Sequence, residues 1–146
     1  ARTVQHNLLH PDDLRSTDHD LVPSVVFSSP QVASVGLTED QARDRELPHR
    51  CVTQDYADVA YGWAMDEPRG HHLAKLVATP DGSRLLGAHI IGPQASLLLQ
   101  PLVQGMVGDL SPEQMARGQY WPHPALSEVI ENALLGLEFD EGAGED

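Results

Sequence analysis

The sequence predicts an α+β domain, a mainly antiparallel sheet with helices gathered toward the C-terminal end and packed on one face. Three observations carry this. Residues 22–92 hold short alternating or β-branched runs, "PDGS" at 80–83 is a hairpin turn between two of them, and beyond residue 94 the apolar repeat lengthens to three or four.

Each element has a local reason. "VPSVVF" (22–27) is β-branched and ends at "SSP", and "VASVG" (32–36) is a second short strand. Thr38 and Gln41 stand at capping-box spacing, with Glu39 and Asp40 suited to a helix N-terminus, so a helix starts there and stops before Pro48. "RCVTQDYADV" (50–59), "HLAKLVAT" (72–79) and "RLLGAHIIG" (84–92) alternate as strands do, the last two forming the hairpin. In "QASLLLQPLVQGMVG" (94–108), Ala95, Leu98, Leu99, Leu102 and Met106 share one helical face, while Ser96, Gln100 and Gln104 form a polar strip. Pro101 inside this helix is expected to loosen it near Leu97, whose carbonyl loses its donor. Ser111 caps a short helix (111–116) with Pro112 in its first turn. A last helix is expected from about Pro124, with Leu126, Val129, Ile130, Ala133, Leu134 and Leu137 facing the core.

Length and composition bound the function. The 146 residues suffice for one domain with its own core, and no apolar run approaches the roughly 20 residues a membrane helix needs. Cys51 is the only cysteine, which excludes an internal disulfide and fits a cytoplasmic location. The formal net charge of −13 and the absence of a basic stripe argue against nucleic acid and anionic membrane as partners. Residues 1–22 are polar without a clean period and read as a segment connecting to a missing N-terminal part. The domain proper is 23–137, and "EFDEGAGED" at 138–146 reads as an acidic disordered tail.

One stretch stands out chemically. "WPHPALSE" (121–128) sets His123 between two prolines, which holds it in extended backbone at the mouth of a helix. Helical side chains lean toward the N-terminus, so Glu128 is placed to reach back to the imidazole. Such a contact fixes the tautomer and steadies the charged ring. An oriented imidazole suits proton exchange with a thiol, since the ordinary pKa values of about 6.5 and 8.5 lie close. Spacing alone does not settle this against the plainer reading, in which the histidine caps the helix and Glu128 complements its dipole.

Other groups carry less. His71 and His72 adjoin on an expected strand, point to opposite faces and make a poor metal pair. Asp55, Asp58, Asp66 and Glu67, among Tyr56, Tyr61 and Trp63, read as a solvated loop or edge, and Cys51 as a buried small hydrophobe. No zincin spacing, glycine-rich dinucleotide fingerprint or phosphate loop is present. A self-contained hydrolase built on His123 would lack a nucleophile.

Three ordered blocks, "VFSSPQVASVGLTEDQA" (26–42), "RLLGAHIIGPQA" (84–95) and "HPALSE" (123–128), resemble the C-terminal dimerisation domain of the flavin-dependent pyridine nucleotide–disulfide oxidoreductases. That family includes glutathione reductase, dihydrolipoamide dehydrogenase and mercuric reductase. The stretches "VQHNLL" (4–9), 55–68 and 115–137 are most similar to its branch that reduces the disulfide of mycothiol, with Pro122 standing where an aliphatic residue is expected. The resemblance implies a homodimer in which His123 and Glu128 are the catalytic acid/base pair, acting on a small disulfide substrate at the partner subunit's site. It places His123 and Pro124 beside the partner's FAD, makes the His123–Pro124 peptide cis, and implies NADPH as reductant. Helix 94–108 becomes a candidate part of the interface. The FAD, nicotinamide and cysteine-pair segments are not in this sequence, so the fragment alone is expected to bind no FAD and to be inactive. A stand-alone, non-catalytic dimerisation module is the alternative.

Overall fold

The computed structural model describes residues 2–16 and 19–137, so the expected disordered tail at 138–146 lies outside the described residues. Five strands form one antiparallel sheet: β1 (Ser24–Val26), β2 (Gln31–Gly36), β3 (Arg50–Asp55), β4 (Leu73–Ala78) and β5 (Leu85–Gly92), in the spatial order β1-β2-β5-β4-β3. The helices are α1 (Arg2–Leu9), α2 (Glu39–Asp44), α3 (Ala60–Ala64), α4 (Ala95–Val107), α5 (Pro112–Arg117) and α6 (Glu128–Leu135). The mixed, antiparallel architecture is the one the patterning predicts.

Strand register explains the two faces. Val35, Ala88, Leu76 and Val52 lie in one row across the sheet, and Ala33, Ile90 and Ala74 in the next. These rows meet Leu98, Leu99, Leu102, Ile130 and Leu134 from α4 and α6 in a single apolar core. Because side chains alternate, the intervening row of Ser34, His89, Lys75 and Thr53 faces the other way. The α2 segment reaches this polar face, where Lys75 bonds Glu39 and His89 Nε2 donates to the Leu37 carbonyl at 2.9 Å.

The predicted caps form. Thr38 and Gln41 make a reciprocal capping box, as do Ser111 and Gln114, with Pro112 in the first turn of α5. All the apolar positions assigned to the core faces of α4 and α6 are buried. Pro101 does not break α4, which runs 13 residues, and the proline lies at an exposed position.

Several expectations are corrected. Residues 2–9, read as periodless, form α1, whose Val4, Leu8 and Leu9 remain exposed. The strand expected over 50–59 ends at Asp55, whose carboxylate accepts the Ala57 N–H and starts a 3-10 turn at Tyr56–Asp58 that leads into α3. Residues 56–58 and 60–64 are therefore helical, not a loop or edge. Cys51 is exposed, not buried, because β3 is an edge strand and its core-facing position is the next residue, Val52.

Candidate functional site

The last helix begins at Glu128 rather than near Pro124, and the reason defines the site. Residues 124–127 form a tight turn, with Glu128 N–H donating to the Ala125 carbonyl at 3.2 Å and Val129 N–H to Leu126 at 3.0 Å. Ser127 occupies the N-cap without a side-chain cap bond. The orphan donor at the mouth of the helix is instead served by Glu128, whose Oε1 accepts the Ala125 N–H at 2.7 Å.

The same carboxylate reaches His123. Its Oε2 lies 2.7 Å from His123 Nδ1, and the His123–Pro124 peptide is cis, as expected. Both oxygens of the Glu128 carboxylate are thus engaged, Oε1 by the turn and Oε2 by the imidazole. Since a carboxylate accepts, Nδ1 carries the proton and Nε2 is the free nitrogen. The Glu128 side chain is only 12% exposed while that of His123 is 68% exposed. Burial alone would raise the Glu128 carboxyl; the Ala125 N–H and the His123 ring outweigh it and hold the group below its ordinary value.

A shallow groove of about 680 Å³ runs from His123 and Pro124 to α3, lined by Asp58, Val59, Tyr61 and Trp63. Trp63 is 79% exposed there. Sequence reading placed His123 and Glu128 together but missed α3 as their neighbour. The signal was available in "QDYADV": an Asp two residues ahead of a free N–H starts a turn. Gly62 fixes the approach of α3, since a Cβ on it would fall 1.8 Å from the Tyr56 carbonyl oxygen.

One acid–imidazole pair and one mixed cluster escaped sequence reading. Glu67, assigned to solvent, is largely covered and bonds His72 Nδ1, while His71 is exposed, so the two histidines do not act as a pair. Glu39, His49 and Cys51 converge on the polar face of the sheet. Among the described residues no helix is long and apolar enough to cross a membrane.

An antiparallel sheet backed by two helices, ending in an outward imidazole gripped by a covered carboxylate, matches a known class. Residues 22–134 match the pyridine nucleotide-disulphide oxidoreductase dimerisation domain, and the chain belongs to that family. It is 57% identical to mycothione reductase from Mycobacterium tuberculosis over 94% of its own length and 30% of that relative's. It is also 34% identical to dihydrolipoyl dehydrogenase from Corynebacterium glutamicum, over 82% of this chain and 25% of that one. Among solved structures, the HOCl-induced flavoprotein disulfide reductase RclA from Escherichia coli superimposes with a TM-score of 0.78. It is 28% identical, and the match covers 92% of this chain and 30% of RclA. The chain therefore spans about 30% of the length of mycothione reductase and of RclA.

Proposed function

We propose that this chain is the dimerisation domain of an NADPH-dependent, FAD-containing reductase of mycothiol disulfide, and that it lends His123 to the active site of its twofold partner. In this reading residues 1–22 connect to flavin and nicotinamide domains, 23–137 form the interface domain, and 138–146 are an acidic tail. The assembly is a cytoplasmic homodimer. The observation that carries the proposal is the exposure contrast at the corner. Glu128 is covered and fixed, while the ring it holds faces outward with Nε2 unengaged.

The 146 residues hold no glycine-rich fingerprint, and this reading assigns the FAD site to another part of the assembly. His123 and Pro124, at the end of an open groove, would form one wall of that site in the partner subunit. When bound there, FAD supplies the passage of reducing equivalents from nicotinamide to a cysteine pair. The chain's own contribution is a proton. His123 Nε2 accepts it from the attacking thiol and returns it to the departing thiolate, while Nδ1–H stays on Glu128. His123 is the catalytic group and Glu128 the positioning residue. A C2 interface is isologous, so one contact surface completes two such sites.

The 57% identity to mycothione reductase against 34% to dihydrolipoyl dehydrogenase favours mycothiol disulfide over lipoamide as substrate. The test is the full-length enzyme assayed against mycothiol, lipoamide and glutathione disulfides, with and without His123→Ala. Selective loss of product-thiol release, with flavin reduction by NADPH intact, supports the role of His123. If His123→Ala left both steps untouched, that role would be wrong.

A further inference from the structure

Away from the His123 corner, three different ligand types meet on the polar face of the edge strand. Glu39 comes from the first turn of α2, His49 from the loop that follows it, and Cys51 from β3. One donor atom from each lies within 4.8 Å of the other two. We propose that Glu39, His49 and Cys51 form a binding site for a borderline divalent transition ion of the zinc class, with solvent in the fourth position.

The donor set selects the ion. Thiolate, imidazole and carboxylate together suit zinc and its neighbours, whereas magnesium and calcium take oxygen. Tetrahedral bonds of ~2.0–2.3 Å put neighbouring donors about 3.3–3.8 Å apart, so closure needs a contraction of about 1 Å. Cys51 is exposed, which leaves its side chain room to rotate.

The outer contacts are those of a prepared site. His49 Nδ1 donates to the Leu47 carbonyl at 2.7 Å, which fixes the tautomer and leaves Nε2 as the lone-pair nitrogen. A ring N–H on a backbone carbonyl is the usual support of a metal-bound histidine. Glu39 is steadied by Lys75 on Oε2 and by Arg43 at 3.0 Å on Oε1. Each carboxylate oxygen keeps a second lone pair for an ion.

With Cys51 bound as thiolate, the charges of the carboxylate, thiolate and divalent ion cancel. The ion would tie α2, the 45–49 loop and the exposed edge strand to one point. Cys51 points away from α6, because its neighbour Val52 packs against that helix at Gly136.

The experiment uses Co²⁺ as a spectroscopic zinc substitute. Cys51 is the only cysteine of the chain, so a sulfur-to-cobalt charge-transfer band must arise from it. The expected result is that band, with visible d–d bands of tetrahedral intensity, saturating at one ion per chain and abolished by Zn²⁺. Zn²⁺, and not Mg²⁺, should raise the melting temperature. His49→Ala and Glu39→Ala, checked for folding by circular dichroism, should each weaken Co²⁺ binding by ~100-fold or more, beyond the ~10–100-fold that loss of an outer-shell partner costs. A folded chain with no charge-transfer band would overturn the proposal. So would weak octahedral bands, or a band whose affinity is unchanged in both variants.

Discussion

Glu128 Oε2 sits 2.7 Å from His123 Nδ1 while Oε1 of the same carboxylate, 2.7 Å from the Ala125 N–H, closes the turn that begins α6. The orientation of the imidazole is therefore coupled to the capping of a helix whose other face is the core. Val129, Ile130, Ala133 and Leu134 are fully buried, so the corner inherits the rigidity of the packed interior.

Glu128→Gln tests that coupling, because an amide has one acceptor oxygen for two donors. Either the Ala125 N–H or His123 Nδ1–H loses its partner. In the full-length enzyme the expected result is loss of a large part of the ~100- to 10,000-fold that positioned proton transfer contributes, with an altered pH–rate profile. Nitrogen NMR of the chain should report a mixed His123 tautomer. An unchanged tautomer and unchanged rate would separate Glu128 from the chemistry.

Gly62→Ala should destabilise the domain by about 2 kcal/mol or more, since its new methyl would meet backbone, the Tyr56 carbonyl oxygen at 1.8 Å, which has nowhere to go. Gly105→Ala is the control. The methyl there meets Met115 Sδ at 2.3 Å, a side chain that is buried but flexible and can repack where backbone cannot. Thermal unfolding should show the larger drop for Gly62→Ala.

The elements that sequence patterning located were those whose signal is local. Alternation gave β4 and β5, the Thr38/Gln41 and Ser111/Gln114 boxes gave the starts of α2 and α5, and the apolar stripe gave the buried face of α4. The His123–Glu128 contact was legible for the same reason, being five residues long. What escaped depends on strand order and parity. Cys51 is exposed because β3 pairs only with β4, and no spacing in the sequence says which strand lies at the edge. Likewise Glu39 meets Lys75 across 36 residues, and Glu67 bonds His72, the residue just ahead of β4. α3 was lost because an Asp-initiated turn interrupts what looks like continuing alternation through Asp55.

The β4–β5 turn makes a pH prediction. Asp81 accepts from the Thr79 hydroxyl and then from the N–H and hydroxyl of Ser83, which lowers its carboxyl from the ordinary 3.8 to about 2. A depressed carboxylate stabilises the fold fully above its unfolded value and stops doing so as pH falls through the folded one. The turn should hold unchanged above pH 3.8 and loosen only toward 2. Carboxyl-carbon NMR of Asp81 should titrate near that value, and Ser83 amide exchange should accelerate in step. A midpoint at the ordinary value would show that the three donors do not act on it.

The exposed side of α4 makes the last prediction, and it rests on the proposed dimer. Leu97 and Val107 are 68% and 67% exposed on a helix whose opposite side is packed into the core. If that surface is covered by the twofold partner, each burial recurs in both copies. A buried leucine contributes ~1.5–3 kcal/mol, so Leu97→Glu removes roughly twice that from the pair and raises the dissociation constant on the order of a hundredfold or more. Sedimentation of the full-length protein should then reveal monomer at concentrations where the parent is dimeric, and disulfide reduction should fall with the dimer fraction because His123 is delivered across the interface. A dimer that survives Leu97→Glu with full activity would place the interface elsewhere and leave α4 as core support alone.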